Sequence, residues 1–370
     1  MKKQVDNKHR NYFIDALKLF FMFMIVGVHS ETIFNSRIYF LSGSLAVEFF
    51  FLVSGYLMAK SADEKIKKAD KLKKKLDIGK ETIKFIFNKY SRIFLPLLVS
   101  IIACIVIRFY FYDKNIIENI IYSTWELLCG QMYGFSGYFS TGVEWYLSAM
   151  FAALWILYPI YLKKRKIFSY IIAPVLTLFV LGWISHTYGN LTDAPGTWSG
   201  FFYKGMLRGI AEVAAGVICY EIAKKMAEIN WTKLGHVVLT SAEILCYVLS
   251  SLYMLFHVPS GQDTIIVLLL MIAITITFSD QSITSKVFTD PRWSYCATFS
   301  GVLLFCHYTW GLIMKNKMIY KTPKERALTY VALSIATTIF VLIIIKIIQI
   351  IAKKLKGKIK LTYSENEKLT

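Results

Sequence analysis

Thiol and metal chemistry have little to draw on in this chain. Its six cysteines (Cys104, Cys129, Cys219, Cys246, Cys296 and Cys306) stand singly in or beside apolar runs, with no C-x-x-C pair and no histidine at ligand spacing. They read as core filler, and neither a disulfide framework nor a metal site is indicated. Prolines are also few. Pro159, Pro195, Pro259, Pro291 and Pro323 fall at expected helix ends or in loops, which leaves Pro96 and Pro174 as the residues able to bend a membrane helix. There is no internal repeat, and no stretch between apolar runs is long enough for a separate soluble domain. The basic opening MKKQVDNKHR resembles the start of a signal peptide. However, the apolar run behind it contains Asp15 and Lys18 and lacks a small-residue cleavage site, so it is expected to be retained. Acidic residues are scarce as well: 24 Asp plus Glu face 43 Lys plus Arg, for a formal net charge of +19.

Apolar side chains fill the space these absences leave. The chain has 370 residues, of which 56% are hydrophobic, and its mean hydropathy is +0.49. That share lies well above the roughly even apolar content of soluble domains. Runs of membrane length, about 20 residues each, are read at 12–30, 44–59, 93–112, 143–162, 167–186, 203–223, 236–256, 264–279, 297–314 and 327–352. The expected fold is an all-α, polytopic, multi-pass membrane protein with about ten transmembrane helices. It has a single membrane domain over 1–352, a basic loop at 60–92 inside it, and a basic tail at 353–370.

Where the positive charge lies rules out nucleic acid as its partner. Lys and Arg gather in alternate connections: the amino-terminal tail, the 60–92 loop, Lys163 to Lys166, Lys224 with Lys225, and Lys353 to Lys360. The intervening loops near 31–43, 113–142, 187–202 and 257–263 are poor in them. The positive-inside rule then predicts that both termini are cytoplasmic. The connection holding Lys315, Lys317, Lys321, Lys324 and Arg326 disagrees, so either the ninth segment does not cross or this late loop does not control orientation. Within the 60–92 loop, Ala62, Ile66, Ala69, Leu72 and Leu76 recur at helical spacing among lysines. This suits an interfacial helix on an anionic leaflet or, equally, a solvated charged linker. The segments Asp113 to Gly142 and Thr187 to Phe202 are rich in Gly, Ser, Thr, Tyr and Trp. They suit a sugar-sized cleft or ordinary loops at headgroup level.

Ionisable side chains inside apolar runs need a reason, since each costs roughly 2.5–3.5 kcal/mol at the bilayer centre. The first run carries Asp15, Lys18 and His29, the second Glu48 and Ser54, and Arg92 opens the third. Glu144 opens the fourth beside Trp145, Arg208 and Glu212 lie in the sixth, and His307 in the ninth. Asp15 with Lys18, and Arg208 with Glu212, stand at i, i+3 and i, i+4 and can pair on one helix face. No adjacent residue accounts for His29. Taken alone it is either a hydrogen-bonded core histidine or a catalyst, imidazole being the side chain whose unperturbed form titrates near neutrality.

The frame IDALKLFFMFMIVGVHS, with ten residues between Lys18 and His29, resembles the first-helix pattern of the membrane-bound acyltransferase 3 family. VEFFFLVSGYL resembles its second signature, with Glu48 in place of the more usual Asp and Tyr56 in place of Phe. KYSRIFLP resembles the basic motif entering the third helix, with Lys89 where Arg is common. VEWYLSAMFAALWILYPIY resembles the Trp-containing fourth helix, although Met150 stands where many members carry Glu. LRGIAEVAAGVICYE and FSGVLLFCHYTW are similar, more loosely, to later stretches of the family. The ordered set runs from Asp15 to about His307.

The resemblance implies a ten-helix enzyme that moves an acyl group, acetyl by prevalence, from a cytoplasmic acyl-CoA such as acetyl-CoA. The acceptor is a hydroxyl of an extracytoplasmic glycan or lipid-linked sugar. His29 is then the expected base or acyl carrier, with Glu48 orienting it. Lys18, Lys89 and Arg92 are expected on the phosphates of CoA. Asp15, Ser54, Glu144, Trp145, Arg208 and His307 are expected to support the site or hold the acceptor. No resident cofactor is expected, the lipid around it is that of a bacterial-type plasma membrane, and no oligomeric state is implied. The rival classes are a transporter or flippase of lipid-linked sugars, which inverted repeats and paired broken helices would favour, and a non-enzymatic membrane module.

Overall fold

A computed structural model describes residues 10–34, 38–111, 115–135, 141–317 and 322–366. Hydrocarbon offers no partner for a backbone amide or carbonyl, so a chain this apolar closes its hydrogen bonds within helices. The long helices are α1 (Tyr12–Phe34), α2 (Ala46–Lys71), α3 (Ile78–Phe111), α5 (Trp145–Ile167), α6 (Ala173–Tyr188), α7 (Lys204–Ala227), α8 (Lys233–Phe256), α9 (Thr264–Phe278), α11 (Ser294–Lys317) and α12 (Pro323–Asn366). Two shorter ones, α4 (Ile116–Leu127) and α10 (Thr284–Val287), lie between them. The described strands, β1 (Trp198–Ser199) and β2 (Phe202–Tyr203), form a two-residue antiparallel ladder at the entry to α7. Among the described residues eight stretches are long and apolar enough to cross a membrane. One of them, Trp145–Tyr188, holds both α5 and α6, while α7, with Lys204, Arg208, Glu212 and Glu221 along it, falls outside the set. The chain is an all-α polytopic membrane protein.

Polar residues start the helices that leave the loops. Asn115 accepts from the amide of Glu118 before α4, Thr232 from Gly235 before α8, and Ser260 with Asp263 forms a capping box ahead of α9. Two prolines differ from the sequence reading. Pro159 lies inside α5 rather than at its end, and Pro174 occupies the first turn of α6, where a missing amide hydrogen is harmless. The α5–α6 junction is made by Lys164, which leaves helical geometry at φ −138°, and by one wide helical turn over Phe168–Ile172.

The helix connections sort to two ends of the bundle. Arg165, Glu221 and Asp63 meet at the end where α1 begins, whereas the amides of Leu41 and Ser42 reach the carbonyls of Leu255 and Met254 at the other. Helix α11 runs parallel to α1, with Cys296 close to Asp15 and His307 beside His29. It therefore runs the length of the bundle alongside α1, and its own C-terminal end lies at the far end. Lys321 itself falls outside the described residues. The lysine-rich 60–92 stretch does not lie flat as an interfacial helix: α2 continues unbroken to Lys71 and α3 starts at Ile78. Ile66, Leu76 and Ile78 pack against the core, and Lys65 pairs with Glu81. Ile66 and Leu76 of the stripe thus face the core at the connection from α2 to α3.

Helix α7 sits at the centre, packed against α2, α5, α6 and α9. Its crossing with α2 is a close one. A Cβ added at Gly55 would stand 2.0 Å from the carbonyl oxygen of Val213, and one at Gly216 would stand 2.2 Å from that of Leu52. Small residues permit such close backbone approach, which supplies dispersion contacts where lipid supplies no hydrophobic drive. Gly55→Ala and Gly216→Ala are each expected to lower thermal stability in detergent, with about 1–3 kcal/mol lost to overpacking. Gly182→Ala, inside α6 where an added Cβ meets nothing within 4 Å, is expected to keep or raise the melting temperature, since Ala is favoured over Gly in a helix by about 0.5–1 kcal/mol.

Candidate active site

A cavity of about 700 Å³ runs lengthwise through the bundle. Lys18 of α1 and Arg92 of α3 line one part of it, and Tyr39, Asp193 and Pro259 line another. Between them the wall is built from His29 of α1, Val47 and Phe50 of α2, Trp145 and Tyr146 of α5, Arg208 of α7, and Ser300 and Phe305 of α11. Lys18 and His29 share one helix at a rise of about 1.5 Å per residue, which separates them by roughly 16 Å along the cavity. The cations and the imidazole therefore serve different parts of any long occupant.

His29 is half-buried and open to the cavity. Its ring centroid lies 5.3 Å from that of His307 and 5.2 Å from that of Tyr308, which meets it edge-on at 76°. His307 is fully buried. Its Nδ1 stands 3.0 Å from the carbonyl oxygen of Leu303, and since a carbonyl only accepts, Nδ1 carries the hydrogen. Nε2 is left as an acceptor, and it has no hydrogen-bond partner among the described residues. Two imidazoles thus stand side by side, one facing the cavity and one locked into a single tautomer behind it.

Glu48 does not orient His29. Its carboxylate is ion-paired to the Arg208 guanidinium, which also reaches Glu212 at 3.5 Å, and all three side chains are buried to 1% exposure or less. Deep in the bundle an acid is stabilised far more by a guanidinium than by a neutral ring, which is why α7 takes Glu48. Arg208 lies over the Trp145 ring at 5.6 Å, a cation–π contact in the cavity wall. The expected Arg208–Glu212 pair is therefore present, but as part of a three-residue group.

The other expected residues separate into two sets. Lys18 pairs with Asp15 at 3.1 Å, and Arg10 binds the second oxygen of Asp15 at 2.5 Å. Lys89 lies within electrostatic reach of Lys18 and Arg92, so three cations gather at one end. Ser54 is not in the cavity wall; its hydroxyl donates to the sulfur of Met150 at 3.3 Å, a packing bond rather than an oxyanion contact. Glu144 is likewise outside the wall and faces the buried carboxyl of Glu126. Sequence reasoning missed Glu126, Tyr146, Asp193 and Tyr308. The only signal for Tyr308 was its place next to His307, and Glu126 carried none. Among the described residues no three His, Cys, Asp or Glu side chains gather as metal ligands.

The model of the acyltransferase 3 family, described as an acyltransferase domain, matches residues 11–346. The chain belongs to this family. The match spans every residue that lines the cavity of this acyltransferase, from Lys18 to Phe305. No match was found among curated proteins or solved structures.

The Glu48–Arg208–Glu212 group makes a separable prediction about this acyltransferase. Removing one partner of a buried ion group leaves uncompensated charge, worth about 3–5 kcal/mol. Arg208→Met is expected to lose that much thermal stability in detergent. The triple variant Arg208→Met, Glu48→Gln, Glu212→Gln is expected to recover most of it, because no charge is then left alone.

Proposed function

We propose that this membrane acyltransferase moves an acyl group, acetyl in the simplest case, from acyl-CoA to a hydroxyl of an extracytoplasmic glycan or lipid-linked sugar. The observation that carries this reading is a single cavity lined by cations, an imidazole and aromatic rings, with Lys18 and His29 well apart along it. The termini are taken as cytoplasmic and the membrane as the plasma membrane, in line with the basic connections gathered at the end where α1 begins. Acyl-CoA then enters beside Lys18, Lys89 and Arg92, whose charges suit its phosphates. The sugar enters from the Tyr39 and Asp193 end, and Trp145 and Tyr146 in the cavity wall offer faces for stacking.

His29 takes the proton of the acceptor hydroxyl as its oxygen attacks the thioester carbonyl. The carbon–oxygen bond forms, the carbon–sulfur bond breaks, and the imidazolium returns its proton to the departing thiolate of CoA. His307, held as an acceptor beside the ring, supports the imidazolium while it exists.

His29→Ala is expected to lower acyl transfer at least 10²-fold, the lower bound for loss of a general base, while the protein still inserts and melts as before. Mass spectrometry of cell-surface glycans reads the outcome as loss of acyl esters. Unchanged esterification by His29→Ala would overturn the proposal. Arg92→Ala is expected to raise the KM for acyl-CoA with kcat little changed, since it removes binding common to ground and transition states.

A further inference from the structure

Glu126 and Glu144 are two acids that the cavity does not use. Both are 0% exposed. Glu126 lies in the last turn of α4 and Glu144 immediately precedes α5. One oxygen of Glu126 accepts the amide of Thr141 at 2.9 Å and that of Gly142 at 3.4 Å. Its other oxygen and both oxygens of Glu144 have no conventional donor among the described residues, and the two carboxyl groups face each other. Like charges in contact cannot both ionise, so such a pair shares a proton.

The consequence of this pair lies in the peptide that Glu126 holds. Gly142 has φ +73°, and a Cβ there would stand 2.5 Å from Cδ1 of Tyr308. The glycine backbone therefore lies directly against the Tyr308 ring. That ring in turn meets His29 edge-on. A chain of contacts runs from Glu126 through the Gly142 amide and the Tyr308 ring to the imidazole, all outside the space a substrate would occupy.

We infer that Glu126, with Glu144 as its proton-sharing partner, is a positioning residue for His29, setting the ring's orientation through Gly142 and Tyr308. The inference rests on the reading of His29 as the base. The groups around the pair are Arg108 and Cys104 from α3 and Cys129 beyond α4. Burial pushes the Glu126 carboxyl up to about 7, against the pull of the Thr141 amide, Glu144, the Gly142 amide and Arg108. A folded value above the usual carboxylate range means that the stability this group contributes is complete below 4.5, its ordinary value, and is lost as pH rises from there to about 7.

The test uses the full chain with acetyl-CoA as donor probe, read as release of the CoA thiol, and diethyl pyrocarbonate modification of His29 located by mass spectrometry. Glu126→Ala is expected to lower kcat at least tenfold with the acetyl-CoA KM within twofold, and to change the His29 modification rate at least threefold. Glu126→Gln, whose amide oxygen still accepts from Thr141 and Gly142, is expected to restore both and to flatten the fall in melting temperature between about pH 5 and 7. Wild-type kcat and modification rate in Glu126→Ala would overturn the inference, as would a Glu126→Gln variant as impaired as Glu126→Ala. Should Glu126→Ala fail to accumulate, Tyr308→Ala reads the same two quantities, and unchanged values overturn the inference equally. Full activity in His29→Ala would instead overturn the reading of His29, while the modification rate would still decide whether Glu126 positions the ring.

Discussion

Arg208 holds the carboxyls of Glu48 and Glu212 where no water can reach them, and the site's architecture depends on that contact. The ion group links α2 to α7 about two helical turns from the Gly55–Gly216 crossing, so the two helices are fixed both by charge and by backbone proximity. The same guanidinium lies over Trp145 and lines the cavity. A charge that hydrocarbon strongly disfavours is thus stabilised by two acids from different helices. In this position it gives the cavity a rigid polar wall without exposing a bare ion to lipid.

The cavity is polarised along its length for the same reason. Lys18 is held by Asp15, itself bound by Arg10, so the cationic end is stabilised from the side where α1 begins. The middle carries the His29 imidazole, with His307 and Tyr308 behind it, and the Arg208 guanidinium, whose charge is held by Glu48 and Glu212. The roughly 16 Å between Lys18 and His29, set by the helical rise, separates the cationic end from the imidazole. Ten intervening residues are the sequence form of a geometric requirement.

How much of this was legible follows from the range over which each interaction acts. Local periodicity was enough for the apolar helices, and the Asp15–Lys18 and Arg208–Glu212 pairs could be read because partners three and four residues apart must meet on a helix. Lys18 and His29 stood out because hydrocarbon makes any ionisable group conspicuous. Glu48 was assigned to the wrong partner because its true one lies 160 residues away, a separation at which no spacing rule operates. The lysine-rich stretch after α2 was ambiguous because an amphipathic stripe looks the same whether it covers lipid or a neighbouring helix, and only the position of α3 decides. Glu126 was invisible because an acid in a polar connection is ordinary until folding buries it against another acid.

That last case bears on how such a site is made rigid. An imidazole in a cavity wide enough for a thioester and a sugar cannot be packed on its open face, so its orientation must come from behind. His307 and Tyr308 stand there, adjacent in sequence on α11, and each is held by a different device. The backbone carbonyl of Leu303, one turn earlier in the same helix, holds His307. Tyr308 has the Gly142 backbone packed against it, and that peptide is in turn held by an acid on α4. One anchor is local to its helix and the other comes from a connection between helices. A bundle of apolar helices can slide and rotate with few directional contacts to stop it, so fixing one face of the ring from outside α11 ties the imidazole to more than the helix that presents its neighbours.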